Sequence, residues 1–195
     1  FADSYTDRSL ADRCLMGFNA GPPMVSSAYN NNVHILQTPD HVVVFNEMVH
    51  NARIVPLDGR PHGVLRQYAG DSRGRWEGNT LVIDVADQVA ETWLDRSGNH
   101  HSDQIHVVER YTQVSADHVI YEATIEDPEV YTRPWTIRLP LYRRIDDNVQ
   151  LLEYKCVEFA EEKMYGHLRK DPDLTPSYRA SGHGSNRDSI PEPPQ

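Results

Sequence analysis

Residues Gln104 to Asp127 read QIHVVERYTQVSADHVIYEATIED, and this stretch decides the fold. Two runs rich in β-branched and aromatic residues flank the short polar segment Ser115-Ala116-Asp117. Runs of this kind, separated by a few turn residues, are typical of two strands that pair as a hairpin. A three-residue loop would place Val114 opposite His118.

The charges along the two strands favour this register. It places Arg110 opposite Glu122 and His106 opposite Glu126, which pairs unlike groups. A two-residue loop would instead set Glu109 opposite Glu122, and two like charges directly opposed are unfavourable. We therefore predict the first register.

Because side chains alternate along a strand, this register gives the hairpin one charged face and one apolar face. The charged face carries His106, Arg110, Glu122, Thr124 and Glu126. The apolar face carries Ile105, Val107, Tyr111, Val119, Tyr121, Ala123 and Ile125. We predict that the apolar face packs on the core.

The rest of the chain continues the pattern of short β-rich segments separated by turns. Further strands are predicted at residues 41–50, 52–58, 75–76, 80–85, 133–142 and 149–158. About eight strands with this spacing predict an all-β fold, an antiparallel barrel or sandwich. The predicted helices, Asp7 to Cys14 and Phe159 to Leu168, are short enough to serve as caps.

Length and composition predict one domain followed by a tail. The 195 residues can bury one sizeable core, and we assign residues 1–170 to a single β-rich domain. From Asp171 to Gln195 the chain is rich in Pro, Gly and Ser, which predicts an extended tail. Leu174, Tyr178 and Ile190 are its sizeable apolar residues, so we expect them to dock on the domain or on a neighbouring subunit, where they could support a homo-oligomer.

Net charge and hydropathy exclude several partners. The formal net charge is −10 and the sequence pI is about 5.4, so a phosphate backbone would be repelled and nucleic acid is not expected as a partner. No apolar run approaches the roughly 18 to 20 residues that cross a bilayer. The start, FADSYTDRSLADRC, lacks an initiator Met and a signal-peptide core, so we expect a longer precursor or an end set by proteolysis.

The two cysteines, Cys14 and Cys156, lie near opposite ends of the predicted domain. A bridge between them would close nearly the whole domain and would imply an oxidising compartment. Two unrelated buried thiols in a cytosolic protein are the alternative reading. We predict the bridge.

The charged hairpin face is the candidate functional site. If it lines a cleft, His106 can act as a general base or acid oriented by Glu126. Arg110 and Glu122 would then contact a polar ligand, and an aromatic stacking wall would be provided by Trp135 or Tyr154. If the face is open to water, the same charges are cross-strand ion pairs of small energetic effect.

A divalent metal ion is the cofactor that this part of the chain could hold. The candidate ligands are His101, Asp103 and His106, with Glu126 across the hairpin. On a regular strand His101 and His106 point to opposite faces, so the segment before Gln104 would have to leave the sheet. We predict no functional role for two other polar features. His62 follows a proline in a turn, and residues 71–75 are predicted to form a charged loop.

Several short segments of the sequence resemble segments found in a family of exported bacterial proteins. The domain that this family shares has no known function. The segments are QTPDHVV, NEMVHNARIVPLDGRPH, GDSRGRWEGNTLVIDV, HSDQIHVVERY, YEATIEDP, RPWTI and LLEYKCVE. The resemblance runs from about Asp7 to Glu158. It implies export and a longer N-terminal part, and it implies no catalytic residues.

Two functions follow from these observations. The first is a periplasmic or secreted domain whose cleft binds a small molecule, with acid/base chemistry of the lyase, isomerase or hydrolase type. The second is a structural or accessory subunit of a cell-envelope or extracellular assembly, held by its extended ends. Whether the charged face is enclosed or open distinguishes the two.

Overall fold

The computed structural model describes residues 8–90, 93–95, 97–158 and 160. Eight strands are present: β1 Val33–Gln37, β2 His41–Asn46, β3 Ala52–Pro56, β4 Asp71–Glu77, β5 Thr80–Ala86, β6 His106–Ser115, β7 His118–Glu126 and β8 Trp135–Tyr142. The described residues include a 3₁₀ turn at Met48–His50, and residue 160 is also helical. No helix in the described residues is long and apolar enough to cross a membrane. The all-β prediction is confirmed.

The strands form two antiparallel sheets. The first sheet has the order β1-β2-β3 and the second the order β4-β5-β6-β7-β8. Neither sheet closes on itself within the described residues, and the two share one apolar core, so the architecture is a sandwich rather than a barrel. We call the side of the five-stranded sheet that faces away from this core the outer face.

Four local predictions were wrong. A strand forms at Val33–Gln37, where none was predicted, and residues 71–75 belong to β4 rather than to a loop. Residues 149–158 form no strand, and residues 8–14 form turns rather than a helix.

The segment at 149–158 has alternative partners for its backbone. The Leu152 N–H donates to the Glu47 carboxylate over 2.9 Å, and the Tyr154 N–H donates to Nε2 of His50 over 3.0 Å. Side chains therefore satisfy backbone groups here that a neighbouring strand would otherwise satisfy.

Other predictions fall outside the described residues. They are the helix from Phe159 to Leu168, of which only residue 160 is described, and the tail from Asp171. The proposed docking of Leu174, Tyr178 and Ile190 belongs to the same part of the chain. These remain predictions.

The core lies between the inner faces of the two sheets. The apolar hairpin face packs there as predicted, because strand alternation directs every second side chain of β6 and β7 inward. The buried core residues are Met24, Val42, Val44, Val55, Leu81, Ile83, Val85, Ile105, Val107, Tyr111, Tyr121, Ala123 and Ile125.

The two sheets are in close contact at Gly74. A Cβ atom at this position would lie 2.7 Å from a methyl group of Leu57 and 2.8 Å from one of Val55. Real Cβ atoms essentially never lie within 3.0 Å of another side-chain atom, so a larger residue would push β3 away from β4. Glycine is therefore required here by packing.

A charged pair crosses the core between the sheets. Arg53 on β3 points inward, and its Nη1 lies 2.5 Å from Oε2 of Glu109 on β6. The two side chains are 6% and 0% exposed. Removing two charges from water costs several kcal/mol for each ion, so the pair depends on further hydrogen bonds to its polar atoms. Nε of Arg53 has no hydrogen-bond partner among the described residues.

Two tyrosines complete the network around Glu109. The Tyr121 hydroxyl donates to Oε1 of Glu109 over 2.7 Å and accepts from the Met24 N–H over the same distance. The Tyr111 hydroxyl accepts from Arg53 over 3.4 Å. Burial and then the charge of Glu109 raise the pKa of Tyr121 well above its ordinary value, so this hydroxyl remains a proton donor.

Cys14 and Cys156 form a disulfide bond with a Cα–Cα distance of 5.6 Å, so the predicted bridge is confirmed. The two residues are 142 positions apart. The bond therefore ties the N-terminal turns to the segment that follows β8. It fits an oxidising compartment.

We expect Arg53→Met to lower the free energy of unfolding by about 3–5 kcal/mol, because it leaves the Glu109 carboxylate buried without its cation. The measurement is urea denaturation followed by tryptophan fluorescence. Arg138→Met is the matched control, since Arg138 is 66% exposed and its loss should change stability by less than about 0.5 kcal/mol. Equal midpoints for the two variants would show that the buried pair is not required.

Reduction of the disulfide should lower the free energy of unfolding by about 4–5 kcal/mol, because the bond restricts a very long loop in the unfolded chain. Denaturation with and without reductant measures this difference. Alkylation of the unreduced, denatured chain followed by mass spectrometry is the control, and it should label neither cysteine. Two labelled thiols would contradict the bond.

Candidate functional site

The hairpin register agrees with the prediction over most of its length. His106 pairs with Glu126 and Arg110 pairs with Glu122. The turn differs: Ser115 rather than Val114 pairs with His118, and the register shifts between Gln113 and Ser115. A β-bulge between Gln113 and Ser115, followed by a two-residue turn, therefore produces the register that a three-residue loop was expected to give.

His106 is held by a carboxylate that the sequence analysis did not consider. Its Nε2 donates to Oδ2 of Asp84 on the neighbouring strand over 3.1 Å. Its Nδ1 lies 3.9 Å from Oε2 of Glu126, beyond hydrogen-bond distance. Asp84, rather than the predicted Glu126, orients the His106 ring.

The same carboxylate binds a second imidazole. The other oxygen of Asp84, Oδ1, lies 2.7 Å from Nε2 of His62, and Nδ1 of His62 lies 3.5 Å from Oδ2 of Asp71. Asp84 therefore bridges two histidines, and the groups form a continuous row from Asp71 to Glu126 across the outer face. We call this row the carboxylate–imidazole chain, and its members are Asp71, His62, Asp84, His106 and Glu126.

The electrostatics of Asp84 reflect its two neighbours. Burial alone would raise the pKa of this carboxyl group. The hydrogen bonds and positive charge contributed by His62 and His106 outweigh burial, so the pKa lies below its ordinary value. Asp84 is therefore a carboxylate at neutral pH and a stable acceptor for both rings.

His62 reaches the outer face because the loop between β3 and β4 folds over it. The Arg73 guanidinium donates to the Pro61 carbonyl over 2.9 Å, and the Gly63 N–H donates to Oδ2 of Asp71 over 2.6 Å. These contacts fix the loop on both sides of His62. Sequence analysis set this histidine aside because a residue after a proline in a turn gives no indication of its spatial neighbours.

The centre of the outer face is open. His106 is 39% and Glu126 is 59% exposed. The predicted ligand contacts are already paired: Arg110 lies 2.8 Å from Glu77, and Glu122 lies 3.7 Å from Arg138. In the described part of the chain this face is a solvated surface with cross-strand ion pairs rather than a cleft.

Neither predicted stacking residue lies beside His106. Trp135 pairs with Ile125, which places it on the core side of the sheet, where its ring packs edge-on against Tyr131. Tyr154 lies in the segment after β8, where its N–H contacts His50 of the 3₁₀ turn between β2 and β3. Trp135 lies away from His106 because strand alternation turns its side chain toward the core. Tyr154 lies away from His106 because residues 149–158 form no strand in this sheet.

The predicted metal ligands do not converge. His101 turns into the interior, where its Nδ1 lies 3.0 Å from the Ser102 carbonyl, and Asp103 forms an ion pair with Arg66. His106 belongs to the carboxylate–imidazole chain. A different group, His62, Asp71 and Asp87, brings one potential ligand atom from each residue within 4.8 Å of the others.

His101 also contributes to a small cavity. The cavity measures about 30 Å³ and is lined mainly by apolar residues, among them Leu10, Phe18, Pro22, Trp93 and Leu94. Such a volume holds one or two water molecules and no larger ligand.

Asp127 fixes the segment that carries His100, His101 and Ser102. Its two carboxylate oxygens accept from the Ser102 N–H over 2.6 Å and from the Ser102 hydroxyl over 2.7 Å. Burial would raise the pKa of Asp127, but the hydrogen bonds from Ser102 and Glu129 outweigh burial and lower the pKa. The carboxylate is therefore a structural acceptor at the start of β6.

The chain matches no family model, and no curated protein or solved structure is significantly similar to it. The resemblance to exported bacterial proteins therefore stays a prediction, and the function is argued from the geometry of the described residues alone.

We expect Asp127→Asn to lower the free energy of unfolding at pH 7 by about 1–3 kcal/mol, because the amide nitrogen cannot accept from Ser102. The folded pKa of Asp127 lies below its unfolded value, so its contribution is complete above about pH 4 and is lost as the pH falls further. The wild-type chain should thus lose more stability than the variant between pH 5 and pH 2. Denaturant titrations across this range measure the difference, with the exposed Asp146→Asn as control. Parallel pH profiles for wild type and Asp127→Asn would contradict the assignment.

Proposed function

We propose that this chain is a periplasmic or secreted domain that binds a small polar molecule on the outer face of its five-stranded sheet. The observation that carries the proposal is the bridging of two imidazoles by Asp84, over 2.7 Å and 3.1 Å. This bridge fixes the rings of His62 and His106 in place, while His106 remains accessible next to Glu126. The disulfide supports the extracytoplasmic location.

The free polar atoms of this surface favour a ligand that donates hydrogen bonds. Nδ1 of His106 and the carboxylate of Glu126 are acceptors when the imidazole is neutral. The nearby cation Arg110 is already paired with Glu77. A hydroxyl-rich or amine-bearing molecule therefore fits this surface better than an anion does.

Binding is supported better than catalysis. Acid/base chemistry is most effective in a site that excludes water, where electrostatic interactions are strong. The described outer face around His106 is open to solvent. The lyase, isomerase or hydrolase activity expected from the sequence would need a cover that the described residues do not supply.

The second candidate function is that of an accessory subunit in an extracytoplasmic assembly. The first sheet favours it, because the side of that sheet away from the core carries exposed apolar residues. Ile54 is 63% and Leu36 is 44% exposed, and the two flank Val43 in the sheet. An apolar surface of this kind is typical of a subunit contact.

NMR of the histidine side chains tests the ligand proposal. With chelator present, a panel of polyols, sugars and amines should include compounds that shift the His106 resonances and leave those of His34 unchanged. Carboxylic acids of similar size should shift them less. His34 is the internal reference because it is exposed on β1 of the other sheet.

Side-chain substitutions give the matched comparison. His106→Gln and Glu126→Gln should each weaken binding of an active compound about tenfold, which corresponds to one hydrogen bond of about 1–1.5 kcal/mol. Glu153→Gln is the control, because Glu153 is exposed and contacts Lys155 at a distance from this face. Equal affinities in all three variants, or no response of His106 to any compound, would refute the proposal.

A further inference from the structure

One imidazole and two carboxylates meet at the end of the outer face, where β4 begins and β5 ends. His62 comes from the β3–β4 loop, Asp71 is the first residue of β4, and Asp87 directly follows β5. One potential ligand atom from each lies within 4.8 Å of the other two, and all three residues are partly buried. We propose that these residues form a binding site for a divalent first-row transition-metal ion, with Zn²⁺ as the test ion.

The orientation of His62 is the first argument. Its Nε2 lies 2.7 Å from the Asp84 carboxylate and donates to it, so in the neutral ring the remaining nitrogen, Nδ1, carries the lone pair that a metal would bind. A histidine that binds a metal almost always donates its other N–H to a carboxylate or carbonyl in this way. Asp84 is therefore a positioning residue for the proposed ligand.

The surroundings of Nδ1 are the second argument. This atom is shielded from solvent and has no hydrogen-bond partner among the described residues. Its nearest charged neighbour is Oδ2 of Asp71, at 3.5 Å. With the proton on Nε2, a lone pair faces a carboxylate oxygen, an unfavourable arrangement that a cation between the two atoms would reverse.

The separation of these two atoms also fits a metal. Bonds of about 2.0–2.2 Å from Zn²⁺ to nitrogen and oxygen, arranged tetrahedrally, place ligand atoms about 3.3–3.6 Å apart. The observed distance between Nδ1 of His62 and Oδ2 of Asp71 is 3.5 Å. The ligand atom of Asp87 lies within 4.8 Å of both.

The backbone around the three residues is tightly fixed. Gly70 has a φ of +64°, and a Cβ there would lie 2.6 Å from the Ala86 carbonyl, so the chain enters β4 against the end of β5. Asp87 also has a positive φ, 58°, and its carbonyl accepts from the Gln67 N–H over 2.9 Å. Constraints on both sides therefore hold Asp71 and Asp87 near each other, and such prior organisation favours ligand binding.

The donor set indicates the class of ion. Imidazole together with carboxylates suits Zn²⁺ and neighbouring transition metals better than Ca²⁺, which takes six to eight oxygen ligands. Three protein ligands leave at least one coordination position for water. Arg73 pairs with Oδ1 of Asp71, which leaves Oδ2 as the oxygen that faces His62.

Metal binding does not depend on the ligand proposed above. The three metal ligands lie at one end of the carboxylate–imidazole chain, and the proposed small-molecule contacts, His106 and Glu126, lie at the other. Asp84 contacts both His62 and His106 and is the residue that the two sites share. Because their other residues differ, either proposal can be wrong while the other is right.

The test is calorimetric titration of the chelator-treated full chain with Zn²⁺, repeated with Co²⁺ for its absorption spectrum. One ion per chain should bind, and His62→Gln and Asp87→Asn should each weaken binding at least tenfold. Asp84→Asn should weaken binding about 10- to 100-fold through its effect on the His62 ring. The Co²⁺ spectrum should show intense d–d bands of a tetrahedral site that are lost in His62→Gln.

Matched controls separate this site from adventitious binding to other histidines. His34→Gln and Asp146→Asn, both at exposed positions, should leave the affinity unchanged. If His62→Gln does not fold by circular dichroism, Asp87→Asn decides the question. The proposal is overturned if the folded chain binds no Zn²⁺ at 100-fold molar excess, or binds it equally well in the His62 and Asp87 variants. If a ¹⁵N spectrum shows that His62 is a doubly protonated imidazolium and the chain binds no Zn²⁺, the cation between His62 and Asp71 is a proton. That outcome also overturns the metal site.

Discussion

The buried ion pair between Arg53 and Glu109 is the interaction on which the sandwich depends most. Both groups lie on strands whose other inward residues are apolar, so each charge needs a partner from the opposite sheet. The hydroxyls of Tyr111 and Tyr121 bind the same carboxylate and require β6 and β7 to keep one register. A one-residue slip of β6 would expose Glu109 and leave Arg53 buried alone. The buried ion pair and the tyrosine hydrogen bonds therefore favour a single alignment of the two sheets.

This alignment also determines the chemistry of the outer face. Because side chains alternate, a register that turns Glu109 inward turns His106 and Arg110 outward. Asp84 on β5 lies diagonally from His106 in this register, close enough for a hydrogen bond. The buried network and the exposed row of imidazoles and carboxylates are therefore two consequences of one strand pairing.

Local patterns were sufficient for part of this structure. Alternation and charge gave the hairpin register and both of its faces, and the placement of the cysteines gave the disulfide. The strand Val33–Gln37 was missed because five residues with mostly exposed side chains carry little alternation. Arg53 and Glu109 could have been found, since each occupies a core-facing position in its strand and their charges are opposite. His62 could not, because only the tertiary path of the β3–β4 loop brings it to Asp71 and Asp84.

The two ends of the carboxylate–imidazole chain differ in what can be argued from them. Around His106 and Glu126 the groups are well hydrated, and exposed ion pairs contribute about 0–1 kcal/mol, so their presence is compatible with an ordinary sheet surface. At the other end Asp71 is only 13% exposed, and Nδ1 of His62 faces it without a hydrogen bond. A contact between two acceptors with little access to water is unfavourable, so a proton or a metal ion between them would stabilise this arrangement. The covered end of the row, rather than its exposed end, is therefore where the geometry favours a bound cation.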